Sequence, residues 1–142
     1  MSEAKKVIEK VSEEVAKQEV EKWLEFKKID QEDVDEIDDR KASLSRAIQK
    51  GYLTLDKECN FIQTLKFPIK SDSGEMMLDK LTYKPRLTMS DIEKRTKGLD
   101  MKNTFVVIRA YVSALTDVNS GLISKLDSSD NKIAQAIAIF FL

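Results

Sequence analysis

The spacing of apolar residues changes twice along this chain, and that change limits the possible folds most strongly. Residues 3–50 carry apolar side chains at helical spacing, with Glu and Lys crowding the other positions. Residues 52–84 alternate apolar and polar side chains, which is typical of β-strands. After Pro85 the helical spacing returns. The sequence therefore predicts an α+β fold, in which a small antiparallel sheet of two or three strands packs against a C-terminal helical bundle.

Two helices are predicted in the N-terminal third. The first spans residues 3–28, with Ser2 in the position of its N-cap. The second spans residues 31–50, where Asp30 is placed to cap the helix and Gly51 to end it. Together they predict a helical hairpin, or a helical arm that packs on another surface.

The chain length suits one modest core. The 142 residues include only 4 glycines and 2 prolines, and so few chain breakers favour long helices. We assign residues 1–51 to an N-terminal helical extension and residues 52–142 to the α+β domain. The sequence leaves open whether the extension docks on that domain.

The predicted strands are residues 52–55, 61–69 and 77–84, with turns at 56–60 and 71–74. Alternation places one set of side chains on the covered face of the two longer strands: Phe61, Gln63, Leu65, Phe67, Ile69, Met77, Asp79, Leu81 and Tyr83. Because Pro68 lacks an N–H, its strand is expected to have an edge, or to end, at that residue.

Four helical segments are predicted after the sheet. The first has the spacing of a capping box from Ser90 to Glu93 and stops near Gly98. Asp100 and Asp127 are placed to cap two of the other three, and Asn119 precedes a short helical turn at residues 120–126.

The last ten residues, 133–142, are apolar almost all the way round a helix. Ile133, Ile137 and Phe140 form one stripe, whereas Ile139 points elsewhere. A helix that is apolar on every side is either buried on every side or covered by a partner, and both alternatives stay open here. The partner alternative predicts a binding surface on the last helix and the α-helix that carries Phe105: Ile133, Ile137, Ile139, Phe140, Phe141, Phe105, Ile108 and Val112.

No arrangement of residues points to catalysis, and we expect no enzyme, metal or cofactor. Histidine is absent, and the single cysteine, Cys59, has acidic neighbours, Glu58 and Asp56, that would raise its thiol pKa. The glycines form no phosphate-binding loop. The acidic run at residues 30–35 lacks the glycine and the terminal glutamate of a calcium-binding loop.

The net charge of −1 argues against nucleic acid as the partner. A small basic cluster, Lys94, Arg95 and Lys97, is the basis of an alternative interpretation as a helical nucleic-acid-binding regulator. The apolar run at 133–142 is about half the length that a membrane-spanning helix needs. The charged N-terminal residues do not match a signal peptide, so we expect a cytoplasmic protein and no membrane partner.

The order of several short motifs resembles the small tail assembly chaperones of bacteriophages. The first half of the likeness lies in residues 61–69 and 81–86 and in Asp91, which match a strand, a second strand and an aspartate in the next helix. The second half lies in these motifs: Val107-Ile108, Ala114-Leu115-Thr116, Leu126-Asp127, Asp130 and Phe140-Phe141-Leu142. The resemblance covers residues 61–142, and residues 1–58 depart from the short form of the family.

The resemblance implies a non-enzymatic protein of the infected bacterial cytoplasm that is absent from the mature virion. Such proteins bind the long hydrophobic tape-measure protein and keep it soluble while tail-tube subunits assemble around it. A frameshifted longer form, which recruits tail-tube protein, occurs in many of these phages. The implied partners are thus the tape-measure protein and also tail-tube protein, with a homo-oligomer as a further option. The alternative within the same setting is a structural component of the tail.

Overall fold

A computed structural model describes residues 11–34 and 36–142, and this part of the chain contains six α-helices and one antiparallel sheet. The strand order in the sheet is β1-β2-β3. The predicted α+β class and the three strands are confirmed. The elements are α1 Glu13–Phe26, α2 Ile37–Gln49, β1 Leu53–Leu55, β2 Phe61–Lys70, β3 Met76–Thr82, α3 Met89–Thr96, α4 Thr104–Thr116, α5 Ser120–Ile123 and α6 Ser128–Ile139.

The N-terminal helices are shorter than predicted. Ser12 caps α1, and its hydroxyl accepts a hydrogen bond from the Val15 N–H at 3.2 Å; Ser2 and residues 3–10 lie outside the described residues. Asp30 caps a short 3₁₀ turn, Gln31–Asp33, instead of an α-helix. The predicted start of α2 at residue 31 was wrong, because Glu36 has a left-handed backbone (φ 52°) that interrupts the helix before Ile37.

The C-terminal end of α2 was predicted correctly. Gly51 has φ 82°, a conformation that glycine adopts without a steric penalty. The N–H of Gly51 donates to the Ile48 carbonyl, and the N–H of Tyr52 donates to the Ala47 carbonyl, both at 3.0 Å. These two bonds form a Schellman motif, which satisfies carbonyls left free at the end of the helix.

One of the three predicted N-caps in the C-terminal half is confirmed, because Asp127 caps α6. Asn119, predicted only to precede a short helical turn, caps α5, which ends at Ile123 and not at residue 126. The capping box of α3 joins Thr88 and Asp91, so the prediction from Ser90 to Glu93 was wrong by two residues. The N-cap of α4 is Asn103; Asp100 instead accepts a hydrogen bond from the Lys102 N–H in the preceding turn.

The sheet buries only part of the predicted face. Alternate residues of β2 are buried at Phe61, Gln63 and Leu65, but the pairing of β2 with β3 shifts register between Thr64 and Ile69. This irregularity leaves Phe67 58% exposed, so its predicted position on the covered face was wrong. On β3, Met77 and Asp79 are exposed because, past the register shift, Leu78 between them pairs with Ile69 and packs on the core, so the predicted face is reversed there; Leu81 and Tyr83 are buried as predicted.

Pro68 lies inside this irregular stretch of β2. The described pairing of β1 with β2 reaches only Gln63, so this part of β2 has no strand on its β1 side. The described pairing of β2 with β3 also passes from Thr64 to Ile69, so Pro68 is paired with neither strand and its missing N–H costs no ladder hydrogen bond, in agreement with the predicted edge.

One core joins the two predicted segments. The indole of Trp23 on α1 contacts the rings of Phe61 on β2 and of Phe140 and Phe141 after α6, with centroid distances of 4.7, 5.4 and 5.9 Å. Buried side chains of α2, including Leu44 and Ile48, belong to the same cluster. The described part of the N-terminal extension thus docks on the α+β domain and shares its core.

The C-terminal helix α6 is buried within the chain. It packs against α2, α4 and β2, and Ile133, Ala134, Ala136, Ile137 and Ala138 are all buried. The apolar surface that the sequence left without a partner is therefore covered by this chain's own elements over most of its area.

Candidate partner-binding surface

The eight predicted partner-binding residues divide by exposure. Five are core residues, which a partner could contact only if the core opened: Ile108, Val112, Ile133, Ile137 and Phe140. Ile139 and Phe141 are half-buried and pack on that core. Phe105 is 77% exposed, so it is the one member of the set that lies largely in solvent.

The position of Phe105 follows from where α4 begins. Phe105 precedes the buried Ile108 by three residues, so both lie on one face of the helix. The first turn of α4 projects beyond the core, because Asn103 and Thr104 are exposed together with Phe105. A side chain that periodicity places in the core stripe is consequently presented to solvent.

Phe105 borders a groove between α4, α5 and α6, with a volume of about 300 Å³. We name it the α4–α6 groove and define it by its lining residues: Phe105, Arg109, Ile123, Ser124, Leu126, Ser128, Asn131 and Gln135. Ile123 and Leu126 are buried side chains that form an apolar floor. An exposed aromatic ring beside such a floor is typical of a site that receives an apolar side chain of another molecule.

One wall of the groove is polar and belongs to α6. Ser128, Asn131 and Gln135 recur at intervals of three and four residues and therefore share one face of this helix. This polar wall was not predicted from the sequence. The signal that could have revealed it is Gln135, which interrupts an otherwise apolar run.

The groove is flanked by positive charge. Arg109 lies one turn after Phe105 on α4, Lys125 lies between two lining residues, and Lys132 lies one turn after Ser128 on α6. All three side chains are exposed. The ion pairs found within the described part of the chain involve none of them.

The nearby carboxylates are used inside the fold. Asp117 pairs with Arg95 at 2.8 Å and with Lys84 at 3.8 Å. Asp127 caps α6, and its hydrogen bonds from the Ser129 hydroxyl and N–H lower the pKa of its carboxyl. The Asp127 carboxyl therefore stays negatively charged to lower pH, and it remains bonded at the N-terminus of α6.

Asp130 holds α6 against the sheet. Its carboxylate accepts hydrogen bonds from the Lys66 N–H at 2.9 Å and from the Phe67 N–H at 3.1 Å. Its backbone carbonyl accepts one from the Gln63 amide at 2.9 Å, and Gln63 in turn accepts one from the Tyr83 hydroxyl at 2.7 Å. Burial, with a contribution from the charge of Asp130, raises the pKa of Tyr83, so this hydroxyl stays protonated as the donor.

The basic cluster is divided by the fold. The Arg95 guanidinium donates to the Ser113 hydroxyl at 3.1 Å and to the Asp117 carboxylate at 2.8 Å, whereas Lys94 and Lys97 are exposed. Arg95, one of the three cations of the alternative nucleic-acid site, is thus bound within the protein.

Cys59 is buried, and burial raises the pKa of its thiol. Asp56 and Glu19 raise it further, while Lys22 and Lys27 lower it. The predicted direction was right, but the main cause is burial, with Asp56 contributing and Glu58 not among the principal charges. Among the residues described, no three Cys, Asp or Glu side chains form a group that could hold a metal ion; Asp35 of the acidic run lies outside them.

A second cavity, of about 460 Å³, lies between α1 and α2. Its floor contains Val20 and Ala42, and its rim carries the ion pairs Lys17–Glu13 and Lys41–Glu21 at 3.0 and 2.5 Å.

Comparisons of this chain with protein-family models, with curated proteins and with solved structures find no match. None of the helices described is long and apolar enough to cross a membrane.

Proposed function

We propose that the protein is a non-catalytic tail assembly chaperone of a bacteriophage, which binds the tape-measure protein and keeps it soluble in the host cytoplasm. The proposal draws on the motif order of residues 61–142. The observation that carries it is the α4–α6 groove with Phe105 at its border, an apolar surface in the region of that resemblance.

The proposed mechanism is burial of one helix against others. An apolar stripe of the client covers Phe105 and the groove floor and is thereby withdrawn from water. An interface of standard size buries about 800 Å² on each partner, and apolar area contributes about 25 cal/mol per Å² before ordering costs are subtracted. Because those costs are large, such a complex can still release its client when tail-tube protein takes over.

The proposed contact surface is narrower than the sequence predicted. Phe105 and the groove are the primary contact, and Ile139 and Phe141 contribute at most their exposed edges. A charged substitution at Phe141 would disturb its packing on Trp23, whereas Phe105 can be changed with little loss of core contacts.

The test is co-expression with the tape-measure protein encoded nearest downstream, followed by light scattering of the soluble fraction. We expect a defined soluble complex with the natural chain and its loss with Phe105→Ser. Phe67→Ser is the matched control, because Phe67 is 58% exposed on the β-hairpin, away from the groove.

Aggregation of the tape-measure protein whether or not this chain is present would contradict the proposal. Recovery of the chain in purified virions would replace it with the structural tail component. A complex of unchanged amount with Phe105→Ser would move the contact away from the groove.

A further inference from the structure

We infer that the α4–α6 groove binds an amphipathic helix whose apolar ridge is flanked by acidic side chains. The inference rests on the proposed function and deepens it, because it gives the chemistry of the client segment that this groove recognises.

The charges around the groove define the flanks of the partner. Arg109 is exposed and lines the groove, and the exposed Lys125 and Lys132 are sequence neighbours of its lining residues Leu126 and Asn131. Within the described residues they have no carboxylate partner, while Asp117, Asp127 and Asp130 are engaged elsewhere. The fully exposed charges beside the groove are therefore positive, whereas Asp127 is half-buried and Asp130 is buried, and the whole chain has a net charge of −1. Acidic residues beside the apolar ridge of a partner would complement it.

The lining favours a protein helix over nucleic acid. Phe105, Ile123 and Leu126 present an aromatic ring and an aliphatic floor, which contribute nothing to contact with a phosphate backbone. The polar wall from Ser128 to Gln135 is about 10 Å long at the helical rise of 1.5 Å per residue, which matches two turns of a partner helix. Its hydroxyl and amide groups can bond to the polar edge of that helix.

The probe is a pair of synthetic helical peptides of about 18 residues, long enough to form a helix on binding. Both carry the same Leu and Phe ridge, flanked by Glu in one peptide and by Lys in the other. Fluorescence anisotropy with the full chain measures both affinities at low and at high salt. We expect the acidic peptide to bind at least about tenfold tighter at low salt, and this preference to shrink at high salt.

Two variants and one control assign the preference to the groove. Arg109→Glu combined with Lys132→Glu should remove or reverse the preference, and Phe105→Ser should weaken both peptides. Lys80→Glu is the control, because Lys80 is exposed on β3 and changes the net charge without touching the groove. We expect no effect of that variant beyond a small salt-sensitive shift.

Equal affinity for the two peptides, no binding of the acidic peptide, or a preference that survives the double variant would each overturn the inference. Tighter binding of a DNA duplex that depends on Arg109 and Lys132 but not on Phe105 would assign the cations to nucleic acid instead. If the acidic peptide shows no preference but the tape-measure protein still forms a soluble complex with this chain, only the present inference is refuted and the proposed function stands. Acidic-peptide binding without a tape-measure complex refutes the client and leaves the groove chemistry in place.

Discussion

Asp130 is fully buried, although carboxylates are rarely buried without a partner. Its two oxygens accept the N–H groups of Lys66 and Phe67, and its place in the first turn of α6 lies at the positive end of the helix dipole. The negative charge is thereby stabilised without a cation. In return, the carboxylate satisfies two donors in the irregular part of β2, and it fixes the helix that carries the polar wall of the groove.

Replacement of Asp130 by Asn should lower the free energy of unfolding by about 1–3 kcal/mol, because an amide nitrogen cannot accept the second backbone N–H. Asp127→Asn is the matched control. Asn caps a helix as well as Asp does, so this variant should change stability by only a few tenths of a kcal/mol. Urea unfolding followed by circular dichroism measures both; equal losses would show that Asp130 contributes only as a residue near the helix start.

The role of a single residue could be predicted from the sequence where its hydrogen-bonding partner lies close to it along the chain. Asp127 and Gly51 were placed correctly, because the groups to which they are hydrogen-bonded lie within four residues of them. The role of Asp130 as an anchor could not be derived in that way. The N–H groups it binds are 63 and 64 residues away, and only the folded chain brings them together.

At the scale of elements, α3 shows a local signal that was available but misread. Two capping boxes fit the spacing, and the fold uses Thr88 with Asp91. The hydrophobic staple distinguishes them. With Thr88 as N-cap, the residues at N′ and N4 are Leu87 and Ile92, which line one cavity; with Ser90 as N-cap, N4 would be a lysine.

Thr88→Ala should shorten α3 and cost about 1 kcal/mol, whereas Ser90→Ala should be nearly neutral. The loss should show as faster hydrogen exchange of the α3 amides in the Thr88 variant alone. The reverse order of the two effects would restore the box predicted from Ser90.

The same cap makes α3 sensitive to acid. The hydrogen bond that the Thr88 backbone N–H donates to the Asp91 carboxyl, followed by the Thr88 side-chain hydroxyl, lowers the pKa of this carboxyl below its ordinary 3.8. The stabilisation by its carboxylate is therefore complete above pH 3.8 and is lost as the pH falls through the lowered pKa. Thr88→Ala removes the hydroxyl but keeps the N–H of residue 88, so it should bring the pKa of Asp91 part of the way back toward 3.8, which a carboxyl NMR titration measures. An unchanged titration would mean that the backbone N–H and nearby lysines, not the hydroxyl, set this pKa.

At the scale of the whole molecule, the sequence predicted the stripes of α1 and α2 but not the surface they cover. Periodicity shows which face of a helix is apolar; it does not show which other face lies opposite. The structure supplies the second fact through Trp23, whose ring contacts residues of β2 and of the C-terminal segment. The candidate site was predicted only in part for a related reason, since exposure of Phe105 depends on how far α4 extends past its neighbours.

If the extension and the domain share one core, they should unfold together. Trp23→Ala should cost about 3–5 kcal/mol and destabilise the sheet as well as α1. Phe26→Ala on the same helix is the control, because Phe26 is 59% exposed and its loss should change stability by less than about 0.5 kcal/mol. Thermal unfolding followed by circular dichroism should show one transition in every variant. Two separate transitions would instead show that residues 11–51 form an independent unit.

The two edges of the sheet have unequal capacities for growth. On one side, β1 is only three residues long. In the part of β2 that extends beyond β1, Pro68 has no backbone N–H, and the N–H groups of Lys66 and Phe67 are already bonded to the Asp130 carboxylate. On the other side, β3 has no strand partner on its outer edge among the residues described. A foreign strand would therefore find a longer free edge at β3 than at β1. Two copies paired edge to edge through β3 would turn their three-residue β1 strands outward, and such short edges disfavour further growth into a fibre.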